Sequence, residues 1–226
     1  MNKSLTLQAV IFDLDGTLID SEPLLQQAKN TVLNDYGYDT KYFYQHSGVS
    51  TTGVRITDLV RRFQTYFPDV IADNDKITHD ILNFALEKIK ANPPILPGVM
   101  EAIECCKSSG LRLGLASSSP IYYIATVIEL LGISNDFECK LSADKLDYAK
   151  PHPEVYQLAA EKLALLPEQC VAIEDSIVGM IASKSANMHS IVVPSSMQYE
   201  LPQWGLADIK LPSLCHLTQQ HFLTLS

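Results

Sequence analysis

Apolar positions along this chain follow two rhythms. Ala9 to Phe12 is a short continuous apolar run with β-branched and aromatic residues, which predicts a buried strand. After Ser21, a plausible N-cap, the period changes. Leu24, Leu25, Ala28, Val32 and Leu33 recur at helical spacing, with Glu22 and Pro23 suited to a first turn and Gly37 to an end. Residues 38–50 are polar and aromatic. Residues 57–67 predict another helix, broken at Pro68. Residues 77–90 predict a third, with Ile77, Ile81, Leu82, Phe84, Ala85 and Ile89 on its apolar face. No strand pattern appears between 21 and 92.

Beyond the proline-rich linker 92–98 the rhythms alternate. Helices are predicted over 99–108, 121–131, 153–165 and 177–186. Strands are predicted over 111–116, 170–173 and 190–193, with a weaker one at 209–211. Such βαβ alternation predicts an α/β fold whose parallel sheet is covered on both faces. The expected division is a core domain of residues 1–20 and 93–226, interrupted by an all-helical insertion over 21–92.

Charge and composition narrow the function. A formal net charge of −9 argues against a nucleic acid or an anionic membrane as partner. It does not argue against a small anionic substrate, because a metal and a few local cations reverse the field inside one cleft. The five cysteines show no metal-ligand spacing, and Cys105 and Cys106 are adjacent, so reduced and mostly buried thiols are expected. Neither a signal peptide nor a transmembrane stretch is visible, and a soluble cytoplasmic protein is expected.

In open parallel sheets, ligands bind beyond the carboxyl ends of the strands. Here the first strand ends in Asp13 and Asp15 with Gly16 behind them, another in Ser117-Ser118, and a third in Glu174-Asp175. Lys150 stands just before a predicted helix. Each has a bland explanation. Asp-Gly pairs usually make turns, Glu174-Asp175 and the serines before Pro120 could cap helices, and a lone lysine is usually solvated. Together they form a set of hard oxygen ligands suited to Mg²⁺, beside a lysine, a hydroxyl and a carboxylate nucleophile suited to phosphoryl transfer.

Four segments carry a resemblance: Asp13-Leu14-Asp15-Gly16-Thr17-Leu18-Ile19-Asp20-Ser21, Leu115-Ala116-Ser117-Ser118-Ser119, Lys150-Pro151, and Ile173-Glu174-Asp175-Ser176 with Gly179. Through them the chain resembles the haloacid dehalogenase superfamily, in its phosphatase and phosphomutase branch with a helical cap. The resemblance implies a Rossmann-like core with 21–92 closing over the site. It implies that Asp13 attacks phosphorus and that Asp15 protonates the leaving alkoxide and then activates water. It implies Mg²⁺ held by Asp13, the Asp15 carbonyl, Asp175 and Glu174. Phosphate oxygens would be held by Ser117 and by backbone groups at Leu14 and Ser118, with Lys150 bridging phosphate and nucleophile.

Members without an acid at the Asp15 position act on other leaving groups, so Asp15 favours phosphate esters. The mutases of this branch carry a histidine where Leu25 stands here, which leaves water as the phosphoryl acceptor; His46 is a remote substitute. The expectation is a monomeric phosphatase of small sugar or sugar-alcohol phosphates. A phosphomutase and a non-catalytic phosphate-binding protein are the alternatives. In the cap, the loop Gln45 to Ser50 is expected to face the phosphate, and Arg55 is either a substrate contact or a solvated cation at a helix start.

Overall fold

The computed structural model describes residues 6–48 and 53–225. Its centre is β1 (Ala9–Phe12), a strand with no exposed residue. Five further strands run parallel to it: β2 (Arg112–Ser117), β3 (Cys139–Ser142), β4 (Cys170–Glu174), β5 (His189–Val192) and β6 (Ile209–Lys210). Their order is β3-β2-β1-β4-β5-β6, the Rossmann-like arrangement, with Ile11 in register with Gly114 on one side and Ala172 on the other. After β3 the chain crosses β1 and continues on its other flank. A crevice therefore opens between the carboxyl ends of β1 and β4.

The two faces of the sheet follow the two-residue strand period. Val10, Phe12, Leu113, Leu115, Val171 and Ile173 point to one side. There they pack against α5 (Val99–Ser108) and α6 (Ile121–Leu130) through Val99, Ile103, Ile124 and Val127. Ala9, Ile11, Ala116, Cys170 and Ala172 point to the other side. There they meet α7 (Glu154–Lys162) and α8 (Ile177–Ser185) through Tyr156, Ala159, Ala160 and Ala182. The alanines on this side let the helices lie close to the strands.

Between β1 and α5 come four helices and, among the described residues, no named strand: α1 (Glu22–Asp35), α2 (Thr40–His46), α3 (Ile56–Tyr66) and α4 (Asn74–Ala91). Helix α4 packs on α1 and α3. An aromatic knot fills the block, with Phe63 stacked on Phe43 at 3.8 Å and Tyr38 set edge-on to Phe63 at 5.7 Å. The chain leaves and re-enters the sheet layer through two adjacent segments. The Asp20 N–H donates to the Pro94 carbonyl at 2.8 Å, and Ile19 bridges Ile95.

Several local features depart from the sequence expectations. Ser21 makes no cap bond to α1, because its hydroxyl is used elsewhere. Helix α2 forms within the segment left without a pattern, started by Asp39, whose carboxylate accepts from the Tyr42 N–H at 2.8 Å. Helix α4 starts three residues earlier than its apolar face, at the Asp73 cap. Strand β3 was not predicted. Its sequence, Cys-Lys-Leu-Ser, has no apolar run, since an edge strand buries only part of its surface. Helix α9 (Gln219–Thr224) also went unpredicted. The described cysteines are all free, with Cys105 only partly buried and Cys215 exposed. No helix is long and apolar enough to cross a membrane.

Phe63 is wholly buried in the helical block. Replacing Phe63 by Ala is expected to cost about 3–5 kcal/mol of stability, measured by urea unfolding. A loss under about 1 kcal/mol would show that the aromatic knot does not hold the block together.

Candidate active site

The site forms where β1 ends. The Asp13 N–H still donates to the Ile173 carbonyl at 3.0 Å, as the last rung between β1 and β4. The chain then turns sharply. The N–H groups of Leu18 and Ile19 both return to the Leu14 carbonyl. Gly16 sits within this turn at φ +86°, and a side chain there would run into the Asp175 carboxylate. Glycine is thus required twice, for the backbone angle and for the approach of Asp175.

Asp13, Glu174 and Asp175 each place a carboxylate oxygen within 4.8 Å of the others. Lys150 reaches into this group from the loop before α7. Its ammonium donates to Asp13 Oδ1 at 2.6 Å, Glu174 Oε1 at 2.6 Å, the Ala116 carbonyl at 3.0 Å and the Tyr156 hydroxyl at 3.3 Å. Burial works against the charge on Lys150, but Asp13 and Glu174 outweigh it and hold the ammonium protonated. Burial raises the Asp13 carboxyl well above the usual range, against the pull of Lys150 and with the repulsion of Glu174 added. Asp175 is raised too, by burial first and then by Asp13 and Glu174. Lys150 bonds Asp13 and Glu174 but not Asp175, so a single ammonium faces three close carboxyl groups. This donor set of hard oxygens fits a divalent cation.

Glu174 is fully buried and both its oxygens are engaged. Oε1 accepts from Lys150 and from the Tyr156 hydroxyl at 2.6 Å, and Oε2 from the Ser176 hydroxyl at 3.0 Å. It lies so close under α8 that a side chain on Gly179 would overlap its carboxylate. Ser176, not the acidic pair, caps α8, accepting from the Gly179 N–H at 3.1 Å. The capping explanation of Glu174-Asp175 therefore does not hold.

Asp15 faces a different set of partners. Its Oδ1 accepts from Ser21 at 2.6 Å and Tyr123 at 3.1 Å, and its Oδ2 from Ser119 at 2.6 Å. These hydroxyls come from the start of α1, from α6 and from the loop between β2 and α6. Ser117 is buried, with its hydroxyl accepting from the Ser119 N–H at 3.0 Å. The Ser118 hydroxyl donates to the Gly53 carbonyl at 3.3 Å and so ties the loop after β2 to the helical block.

One cleft is lined by Asp13, Asp15, Ser117, Ser118, Lys150 and Asp175 from the sheet layer and by residues of α1 and the segment 53–56 from the helical block. The sequence-predicted residues therefore meet at one place. Arg55 is also in the wall, but not as a solvated cation. It is buried, grips both oxygens of Asp58 at 2.9 and 3.0 Å, and donates to the carbonyls of Ala143, Asp144 and Leu146. Its guanidinium is thereby committed to fastening the helical block to the loop after β3.

Of the loop expected to face the phosphate, Val49 and Ser50 lie outside the described residues, and Gln45 to Gly48 do not line the cleft. His46 is exposed, stacked on Tyr42 at 4.2 Å, and is not among the residues that line the cleft. Leu25 does line it. The residues that sequence reasoning missed are the hydroxyl donors to Asp15 and Glu174, namely Ser21, Ser119 and Tyr123 on Asp15 and Tyr156 on Glu174. Ser21 and Ser119 stand within the motif segments but read as ordinary cap and loop residues, and Tyr123 and Tyr156 carry no motif at all.

Comparison with known proteins agrees with this geometry. Residues 7–187 match the family model described as haloacid dehalogenase-like hydrolase. The chain is 41% identical to hexitol phosphatase B of Escherichia coli K12, over 95% of this chain and 96% of that one. It is 34% identical to a phosphorylated carbohydrates phosphatase of Thermotoga maritima, over 82% and 84% of the two chains. Among solved structures, a β-phosphoglucomutase from Clostridium difficile superposes with a TM-score of 0.81 at 25% identity, covering 97% of each chain. CbbY from Rhodobacter sphaeroides in complex with phosphate gives 0.77 at 26% identity, covering 94% of this chain and 96% of that one. A Rossmann-like sheet, an acidic cluster at the carboxyl edge of β1 and β4, and a family model spanning most of the sequence lead to one conclusion: the chain is an enzyme of the haloacid dehalogenase-like hydrolase family.

Proposed function

We propose that the enzyme is a Mg²⁺-dependent phosphatase of small sugar or sugar-alcohol phosphates, working through an aspartyl-phosphate on Asp13. The observation that carries this reading is the Asp13, Glu174 and Asp175 cluster with Lys150 bonded into it. The relatives named for hexitol and carbohydrate phosphates support the substrate class.

In this reading Asp13, Asp175 and the Asp15 carbonyl hold the cation. Glu174 lies within reach and acts largely through its bonds to Lys150 and Ser176. The metal supplies positive charge that screens the repulsion between a carboxylate and a phosphate dianion. Lys150 occupies Asp13 Oδ1 and fixes the plane of the carboxylate, leaving the second oxygen to attack phosphorus. Ser117 and the backbone N–H groups of Leu14 and Ser118 would receive phosphate oxygens. As the P–O bond to the leaving group breaks, the proton goes from Asp15 to the departing alkoxide. Asp15 then takes a proton from the water that attacks the aspartyl-phosphate, and free phosphate leaves. The hydroxyls of Ser21, Ser119 and Tyr123 set the orientation of Asp15.

Residues 21–92 serve as a cap over the core of residues 1–20 and 93–226, with hinges at the paired segments around Asp20 and Pro94. Closure excludes bulk water from the intermediate. Leu25, an apolar residue in the cleft wall, offers no base to a sugar hydroxyl, and this favours water over a second sugar position as acceptor.

Three outcomes check the proposal. Phosphate release from hexitol and hexose phosphates should require Mg²⁺, stop on chelation and return on its replacement; full activity in chelator would remove the metal from the reaction. Asp13→Asn should abolish turnover, and Asp15→Asn should slow it about 10²–10⁴-fold; wild-type rates in either would remove that residue's role. Gly16→Ala, which pushes on Asp175, should weaken Mg²⁺ binding measured by calorimetry. Unchanged affinity would show that Asp175 is not a ligand.

A further inference from the structure

Two lysines are buried against this cleft, and they are bonded very differently. Lys150 is surrounded by four acceptors. Lys29, in the middle of α1, is 1% exposed, yet its ammonium makes a single long hydrogen bond among the described residues, to Glu22 Oε1 at 3.4 Å. An ammonium has three donors, and leaving two unused away from water is unfavourable. The position is not remote from function. Glu22, Leu25 and Lys29 recur along one face of α1, and all three line the cleft that contains Asp13, Asp15 and Lys150. No catalytic step uses Glu22 or Lys29.

We propose that Glu22 and Lys29 are specificity residues that read hydroxyl groups in the uncharged tail of a polyhydroxy phosphate monoester. Among the described residues Lys29 has unused donors, and Glu22 beside it supplies acceptor oxygens. A hydroxyl is both donor and acceptor, so a run of them satisfies the pair. Leu25, between the two, offers an apolar contact for the carbon skeleton. A second phosphate or carboxylate on the substrate would gain Lys29 but meet the Glu22 carboxylate, so the pair disfavours doubly anionic substrates. A buried lysine with only a structural part would be expected to have its remaining donors matched by protein acceptors.

The inference rests on the phosphatase reading and is tested on the full-length enzyme with two esters. One is a hexitol 6-phosphate. The other is p-nitrophenyl phosphate, which has the phosphoryl group but no hydroxyls. The quantity measured is the ratio of their kcat/KM values. Lys29→Met should lower that ratio about 10-fold or more, mainly through KM for the hexitol ester, and Glu22→Gln about 3-fold or more. Glu22→Gln should also improve hydrolysis of a sugar bisphosphate relative to the monophosphate. Should Lys29→Met fail to fold, Glu22→Gln decides on the same ratio. An unchanged ratio, with both esters falling together, assigns the pair to cap architecture and overturns the proposal. A wild-type enzyme that cleaves p-nitrophenyl phosphate but no polyol phosphate overturns it, and the sugar-alcohol substrate class with it, while leaving the phosphatase chemistry on Asp13 intact. Cleavage of neither ester overturns both.

Discussion

The bonding of Lys150 to Asp13 and Glu174 is the constraint around which the site is built. Two carboxylates at the carboxyl ends of different strands, 161 positions apart in the sequence, are brought to one ammonium at 2.6 Å each. Without that cation, burying them together with Asp175 would be prohibitively unfavourable, and protonation would relieve it. With it, charge is only partly compensated, and the residual negative potential is what a divalent ion would complete. The same interaction ties the end of β1 to the end of β4 and, in the proposed mechanism, would orient Asp13 for attack on phosphorus.

The fold makes this contact possible through small residues. Gly16 lets Asp175 approach the turn after β1, and Gly179 lets Glu174 lie beneath α8. Ser176 caps α8 while donating to Glu174, so the helix start and the acidic cluster share one hydroxyl. On the helical side, Arg55 and Ser118 fasten the insertion to the sheet layer by bonds to backbone carbonyls. The insertion is therefore positioned over the cleft by polar contacts at its rim as well as by its two chain connections.

Much of this was legible in the sequence, and the reason is physical. Central parallel strands must be apolar on both faces, so β1, β2, β4 and β5 announce themselves, and the acidic or hydroxyl residues that end them stand out by contrast. The longer helices were legible from their 3.6-residue apolar period, whereas the short α2 and α9 were not. Strand β3 was not, because an edge strand with a lysine in its middle needs no apolar run; only its pairing with β2 reveals it. Arg55 and Lys29 were not legible either. Whether a charged side chain on a helix faces solvent or a buried partner depends on what packs against it, and those neighbours, such as the carbonyls of 143–146, lie far away in sequence. The hydroxyls around Asp15 belong to the same class, since Ser21 looks like a cap until its partner is known.

The central claim is that Asp13 becomes phosphorylated within this cluster. The most direct measurement is rapid acid quenching of the Mg²⁺-loaded enzyme during turnover of a hexitol phosphate labelled in its phosphoryl group, followed by peptide mapping. The label is expected on the peptide containing Asp13, forming before free phosphate appears and absent from Asp13→Asn. Release of phosphate without any labelled enzyme, or label on another residue, would contradict it.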